Sequence, residues 1–367
     1  MVAASVTEDI ALRVVGLTKS YSPQVTVGPI SFEVRKGEFF SLLGPSGCGK
    51  TTTLRCIAGF EDITEGSILL GGERLDRRPA HQRDVGLVFQ SYALFPHLTV
   101  FENVAFGLKL RRKPRQEIAD RVLRMLELIE LPQLADRYPA QLSGGQQQRV
   151  AIARSLVLEP PLLMFDEPLS NLDFKLRVQM RTELRQLQQR LGKTSIYVTH
   201  DQSEALALSD RIAVLSQGRI EQIGRPQEIY DTPKTEFVAD FIGSSNLIPA
   251  RVVEFPATGG AVVETRNGLR LAVIDGIPRD AQTTLLLLRP ERIRQLSPEG
   301  GSTDANRFQA TIDEVVYLGE DMHLKIVASG GERLLVAAKG GKLVRHLRAG
   351  DTAWFAIDAD DIHVLQK

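Results

Sequence analysis

The sequence predicts an α/β protein: a mostly parallel sheet covered by helices and carrying a helical subdomain, followed by a C-terminal all-β, barrel-like domain. Three observations carry this expectation. Short apolar runs alternate with helical segments up to about residue 235, the pattern of a parallel sheet covered on its faces. A glycine-rich turn joins the first of those runs to a helix. After about residue 240 the helical segments stop, and short β-rich runs separated by Gly, Asp and Asn replace them. The 367 residues leave room for about two or three domains, here read as 1–240 and 241–367.

The strands of the first domain are apolar runs rich in branched residues. They are "FFSLLG" (39–44), "VGLVFQ" (85–90), "PLLMFDEP" (161–168), "TSIYVTH" (194–200) and "DRIAVLSQG" (210–218). "KTTTLRCIAGF" follows the first as a helix, "QQQRVAIARSLVLEP" precedes the third, and "RVQMRTELRQLQQRLG" precedes the fourth. Over 117–131, Ile118, Val122, Met125, Leu126 and Ile129 recur at helical spacing. No strand signal interrupts about 91–160, which predicts a mainly helical insert. The stretch "DFIGSSNLIPA" (240–250) reads as a boundary. Beyond it "AVVET", "LRLAVI", "TTLLLLR", "FQATIDEVVYL", "MHLKIVA", "RLLVAA", "TAWFAI" and "IHVL" read as strands of a barrel or sandwich.

The composition is that of an ordinary globular chain, 43% hydrophobic and 25% charged. Lys plus Arg and Asp plus Glu both number 45, and this zero net charge argues against a dedicated nucleic-acid binder. The basic cluster "RKPR" reads as a solvated face. No apolar run approaches the roughly 18 residues that span a bilayer. The N-terminal "MVAASVTEDIALRV" lacks the basic start of a signal peptide. Cys48 and Cys56, if on one helix, would stand about 12 Å apart along its axis, too far for a disulfide. Both point to a reducing compartment.

The chemistry begins at "GPSGCGKTT" (44–52). Gly44, Gly49, Lys50 and Thr51 fit the P-loop spacing between a predicted strand and a predicted helix, with Ser46, Gly47 and Thr52 in the same loop. Such a loop wraps a β-phosphate in backbone N–H groups, and its lysine reaches the β- and γ-phosphates. The threonine hydroxyl suits Mg²⁺. In "PLLMFDEP" a buried strand ends at Asp166, placed to hold Mg²⁺ through water, and Glu167, placed to take a proton from attacking water. "LSGGQQQR" (142–149) opens another helix. Ser143 and Gln146 form a capping box, while Gly144 and Gly145 bare the helix N-terminus to an anion.

The P-loop, Gln90, "LSGGQ", "LLMFDEP", "SNLD" and His200, in that order, resemble the ABC transporter ATPase family over about residues 10–240. "LLRPERI" (287–293) and "VVYLGED" (315–321) are similar to the TOBE-type domain of importer ATPases. The resemblance implies a P-loop NTPase fold and ATP hydrolysis with Mg²⁺. It implies that two copies pair head to tail, Ser143, Gly144, Gly145 and Gln146 of each facing the γ-phosphate held by the other. Tyr21 would stack on adenine, and Gln90 would reach Mg²⁺ and the attacking water. His200 would bind the γ-phosphate and hold Glu167, and Asp173 would touch the opposite copy.

As an importer ATPase the chain would sit peripherally on the cytoplasmic face of the inner membrane. It would bind two integral permease subunits, serve a solute-binding protein indirectly, and bind no nucleic acid. "SYALFPHLTVFENVAFGL" (91–108) is the candidate docking surface for the permeases, its Tyr92, Phe95, Leu98 and Phe101 divided between that surface and the core. The resemblance leans to the polyamine-type branch, spermidine or putrescine, with sugar, ferric-iron and phosphonate importers as alternatives. A regulatory or shared ABC ATPase, whose C-terminal domain binds a ligand or signalling protein, is the alternative of another class. The sole "LSGGQ" and the lack of a heptad run argue against translation or repair ATPases.

Overall fold

The computed structural model describes residues 9–257, 259–296, 306–319, 321–339 and 346–365, in two compact units, 1–226 and 227–367. The first eight residues of the stretch read against a signal peptide, and Glu320 of "VVYLGED", lie outside the described residues.

In the first unit the strands are β1 (Ile10–Ser22), β2 (Val25–Arg35), β3 (Phe39–Leu43), β4 (Glu65–Leu70), β5 (Glu73–Arg74), β6 (Val85–Val88), β7 (Leu162–Asp166), β8 (Thr194–Thr199), β9 (Arg211–Ser216) and β10 (Arg219–Gly224). The helices are α1 (Lys50–Ala58), α2 (Val100–Leu110), α3 (Arg115–Leu128), α4 (Gly144–Leu156), α5 (Phe174–Leu191) and α6 (Gln202–Leu208). A six-stranded sheet runs β10-β9-β3-β8-β7-β6, parallel except for the β10 edge. β3 and β8 are buried throughout, and β7 up to its last residue, because helices or a second sheet cover both faces.

Alternation along β3 sends neighbouring aromatics to opposite sides. Phe40 and Leu42 pack with Leu54 and Ile57 of α1 and with Leu12, Val14 and Ile30 of β1 and β2. Phe39 packs with Phe165, Tyr197 and the α4 and α5 residues Ile152, Leu156, Met180 and Leu184. Helices α2, α3 and α4 bury Val104, Val122 and Val150 in their own core, so the predicted insert is helical. All five periodic positions from Ile118 to Ile129 pack inward, although α3 ends at Leu128.

The sequence reading overlooked a four-stranded antiparallel sheet, β2-β1-β4-β5. Its signal is blurred because β1 slips register repeatedly against β2, which breaks the period-two alternation.

The second unit contains α7 (Pro226–Asp231, with Pro226 at its boundary), α8 (Glu236–Phe241) and ten strands. The strands are β11 (Asn246–Glu254), β12 (Ala261–Thr265), β13 (Arg270–Val273), β14 (Thr283–Leu288), β15 (Arg294–Gln295), β16 (Asn306–Tyr317), β17 (Asp321–Ala328), β18 (Arg333–Lys339), β19 (Thr352–Ile357) and β20 (Ile362–Leu365). Two antiparallel five-stranded sheets, β13-β12-β11-β14-β20 and β15-β19-β16-β17-β18, share one core around Val263, Leu286, Leu324 and Phe355.

The 240–250 stretch lies within this unit, and its second half is strand β11, bonded to β12 and β14 on its two sides despite Pro249. Arg289 fastens the preceding helices to the sheets. Its guanidinium donates to the carbonyls of Tyr230, Ala239, Ile242 and Ser244.

Candidate nucleotide site

Strand register assembles the site. Leu43 of β3 pairs with Thr199 of β8, Asp166 of β7 with Val198, and Val88 of β6 with Phe165. Four adjacent parallel strands therefore end nearly level, across about 14 Å at 4.8 Å per interval. One or two residues past those ends come Gly44, His200, Glu167 and Gln90. Ligands of open parallel sheets bind in this crevice beyond the carboxyl ends.

The P-loop is shaped by close packing on one side and open space on the other. A Cβ on Gly44 would stand 2.3 Å from the Leu215 carbonyl oxygen. One on Gly49, at φ 101°, would stand 2.5 Å from Val27 Cγ1 of the β2 strand. One on Gly47 would meet nothing within 4 Å, and Ser46 beside it is exposed. Lys50 is buried, and its Nζ donates to the carbonyls of Gly44 at 2.8 Å and Pro45 at 2.9 Å. Gly49 is the N-cap of α1 and supplies no side-chain cap, so Lys50, Thr51 and Thr52 open a bare helix N-terminus.

Cys48 belongs to this loop rather than to α1. Cys48 and Cys56 are both free and buried. Burial pushes the Cys48 thiol up, against the opposing charge of Lys50, and pushes the Cys56 thiol up to about 11.

Thr51 Oγ1 donates to Asp166 Oδ1 at 3.1 Å. Desolvation raises the Asp166 carboxyl above its ordinary range, opposed by that hydrogen bond. A hydroxyl and a half-buried carboxylate form the oxygen-only donor set that suits a hard divalent cation such as Mg²⁺. Glu167 follows at φ 47°, in the left-handed region that a non-glycine residue adopts at a cost of about 1–3 kcal/mol. Its N–H donates to the Val198 carbonyl, and the Glu167 carbonyl accepts from Ser170 Oγ at 2.9 Å. Its Oε2 lies 3.0 Å from Nδ1 of His200, which is half exposed.

Gln90 is exposed, and its carbonyl accepts from Asn171 Nδ2 at 2.9 Å, a link that sequence reasoning missed inside its own "SNLD" motif. Asp173 caps α5 through Leu176 N–H at 3.0 Å. Tyr21, on β1, is exposed, with Lys19 Nζ 5.2 Å from its ring centre.

Ser143 and Gln146 form the expected capping box on α4. Gly144 and Gly145 let α4 approach Leu172 and Leu176, which Cβ atoms there would meet at 3.1 and 3.2 Å. Among the described residues the Ser143 and Gln146 side chains each accept from the other's backbone N–H, and from neither the P-loop nor Glu167.

Within the candidate docking stretch Tyr92 is the residue that packs in the core, beside Ile152 and Leu156. Phe95, Leu98 and Phe101 are half-buried. No helix among the described residues is long and apolar enough to cross a membrane.

Residues 27–170 match the ABC transporter family and residues 286–365 the TOBE domain. Two similar proteins are both described as "Spermidine/putrescine import ATP-binding protein PotA". That of Thermobifida fusca (strain YX) is 48% identical over 97% of this chain and 93% of its own length. That of Acidothermus cellulolyticus (strain ATCC 43068 / DSM 8971 / 11B) is 50% identical over 95% of this chain and 91% of its own. Among solved structures, cbiO1 from Clostridium perfringens, part of the ABC transporter complex cbiONQ, superposes with a TM-score of 0.57 at 32% identity, over 60% of this chain and 91% of that one. A dimeric post-hydrolysis state of the ATP-binding cassette MJ0796, bound to ADP and Pi, gives 0.51 at 34% identity, over 59% and 98%. With both domains matched and near-complete relatives at this identity, the chain belongs to the ABC transporter ATP-binding family, on the branch that carries a C-terminal TOBE domain.

Proposed function

We propose that this chain is the ATP-hydrolysing subunit of an importer for polyamines of the spermidine/putrescine class. The observation that carries the hydrolytic part is the level ending of β3, β8, β7 and β6, which gathers a P-loop, a hydroxyl–carboxylate pair, a carboxylate–imidazole pair and Gln90 at one sheet edge. The polyamine part rests on what the full-length relatives are described as importing.

The bare start of α1, with Ser46, Gly47, Lys50 and Thr52, holds the phosphates, and Tyr21 stacks on the adenine. Lys50 leaves the Gly44 and Pro45 carbonyls for the β- and γ-phosphate oxygens. Thr51, Asp166 and Gln90 would hold Mg²⁺, which when bound neutralises phosphate charge. Glu167 Oε2 takes a proton from the water that attacks the γ-phosphorus. His200 Nδ1 fixes that carboxylate, and its ring contacts the γ-phosphate. Catalysis is mainly positioning and charge neutralisation.

Ser143, Gly144, Gly145 and Gln146 complete the site of a second copy paired head to tail, with Asp173 in the same interface. A dimeric relative bound to ADP and Pi supports this pairing. Two permease subunits dock near Gln90 and the helical subdomain, placing the chain on the cytoplasmic membrane face.

The test is labelled uptake of putrescine, spermidine, maltose, ferric iron and aminoethylphosphonate in the organism that carries the gene, with the gene deleted. Complementation uses wild type or Glu167→Gln. Polyamine uptake lost on deletion and restored only by wild type is the expected result. Loss of another solute instead, or unchanged uptake of all five, would overturn the polyamine assignment; the second outcome would leave ATP hydrolysis standing and move the substrate outside this panel or the chain to a regulatory or shared role.

A further inference from the structure

The loops that carry Glu167 and His200 are gripped by one side chain that no motif assigns. Arg177 lies on the first turn of α5, four residues after the capping Asp173. Its NH2 donates to the Leu172 carbonyl at 3.1 Å and to the Ser170 carbonyl at 3.4 Å. Ser170 Oγ in turn holds the Glu167 carbonyl. Arg177 NH1 reaches Asp201 Oδ2 at 3.5 Å, directly after His200.

Asp201 is itself tied down. Its N–H donates to Thr199 Oγ1 at 2.9 Å, and that hydroxyl donates to Glu204 Oε2 at 2.7 Å, which also accepts from Tyr197. One guanidinium thus spans the loop after Glu167 and the residue after His200, on either side of the 3.0 Å Glu167–His200 contact.

The grip is unfinished. Arg177 Nε is buried without a hydrogen-bond partner, 4.0 Å from Glu204 Oε1. That separation is about an ångström longer than a hydrogen bond, so Nε does not lock the guanidinium to α6. The loop it holds also contains Asn171, which bonds the Gln90 carbonyl. A shift of that loop is therefore carried by Arg177 to Asp201 and on to His200.

We infer that Arg177 is a positioning residue for hydrolysis, setting the Glu167–His200 geometry from the Ser170–Leu172 loop. This rests on the hydrolytic reading above. A lysine cannot replace it, because one ammonium lacks the planar fork that meets carbonyls and a carboxylate together.

The experiment measures steady-state phosphate release by the full-length chain as wild type, Glu167→Gln, Arg177→Ala, Arg177→Lys and Arg177→Gln. Arg181→Ala is the control on the next turn of α5, where Arg181 donates to the Ser203 carbonyl at 3.1 Å. In Arg177→Ala, kcat should fall about a hundredfold, the cost of misplacing a reacting group by about an ångström, with KM for ATP held within about twofold. Arg177→Lys should remain about tenfold or more below wild type. Guanidinium ion, but not urea or sodium at equal concentration, should recover about tenfold in Arg177→Ala or, if that variant does not fold, in Arg177→Gln.

Equal kcat losses in Arg181→Ala would overturn the inference in favour of general docking of α5 on α6. So would kcat and KM moving together, full activity in Arg177→Lys, or no guanidinium recovery in a variant that still binds ATP. A wild type no more active than Glu167→Gln would instead sink the hydrolytic reading.

Discussion

Gly145 separates what the "LSGGQ" glycines do inside one chain from what they do for another. Consider Gly145→Ala. The new methyl would stand 3.2 Å from Leu176 Cδ1 and 3.5 Å from both Leu176 Cδ2 and Met180 Sδ. All three are ends of flexible side chains, so a shift of a few tenths of an ångström accommodates it, at a cost of about 0.5–1 kcal/mol. Against this, alanine is favoured over glycine in a helix by up to about 1 kcal/mol, and Gly145 carries ordinary helical dihedrals in the first turn of α4. The two effects nearly cancel. At about 2–4 °C per kcal/mol for a unit of this size, Tm should stay within about 4 °C of wild type.

Function should not be spared. The methyl faces Leu176 and Met180, so it acts on a partner-held phosphate only by displacing the first turn of α4; the charge-assisted hydrogen bond that this turn would give is worth about 1.5–3 kcal/mol, or roughly 10–150-fold in turnover. The assays are scanning calorimetry, phosphate release, and sedimentation velocity with ATP in a Glu167→Gln background, where the ATP-dependent dimer should be lost. A Tm fall of more than about 10 °C would show that the glycine serves internal packing. Unimpaired turnover would refute dependence of the partner's site on the placement of this turn.

A half-buried carboxyl and a buried phenol give further outcomes. Desolvation raises the Asp166 carboxyl, so the folded chain binds that proton more tightly than the unfolded chain. The sign is therefore destabilising: this contribution is most favourable below the unfolded carboxylate range and is lost as pH rises through the raised folded value. Asp166→Asn should leave Tm without nucleotide at pH 7 unchanged or higher, lose that advantage toward pH 4, and abolish the added stability given by Mg²⁺ with ATP, all read by calorimetry. At Tyr92, whose hydroxyl is buried without a partner, Phe should be neutral or stabilising by up to about 1 kcal/mol. Ala should cost about 3–5 kcal/mol, measured by urea denaturation, so a transport defect in Tyr92→Ala would report folding rather than permease contact.

Much of this architecture is legible in the residues because parallel strands buried on both faces leave continuous apolar runs. "FFSLL" and "LLMFD" mark β3 and β7 almost to the residue, and the P-loop glycines and Glu167 come directly after them. The antiparallel strands are harder to read. Register slips in β1 break the alternation that would betray it, and Pro249 disguises β11 as linker although it pairs on both sides. Tyr92 looks like a surface aromatic because its neighbours do. Two successive residues of positive φ, Tyr92 and Ala93, redirect the chain there, and Arg154 holds both carbonyls. Within the site, Thr51 with Asp166 and Glu167 with His200 can be paired from motif order plus strand order. Arg177 and Asn171 cannot, since their main partners are backbone carbonyls, which leave no mark in residue type.

The two glycine-bearing helix starts show why the site calls for two chains. The start of α1 is uncapped and carries Lys50, Thr51 and, across a hydrogen bond, Asp166. The β- and γ-phosphates of a nucleotide placed there meet charge, donors and a cation site at once. The start of α4 carries no basic residue in its first turn, and Ser143 and Gln146 satisfy each other. Yet accepting the Gln146 N–H leaves the Ser143 hydroxyl hydrogen free to donate, and Ser143 is exposed. That hydrogen and the first-turn N–H groups form a weak neutral anion surface, too poor in charge to hold a nucleotide alone. It suits an anion already neutralised by Lys50 and a cation on another copy. On the proposed head-to-tail pairing, the dimer would depend on the γ-phosphate being present, and its loss by hydrolysis would release it.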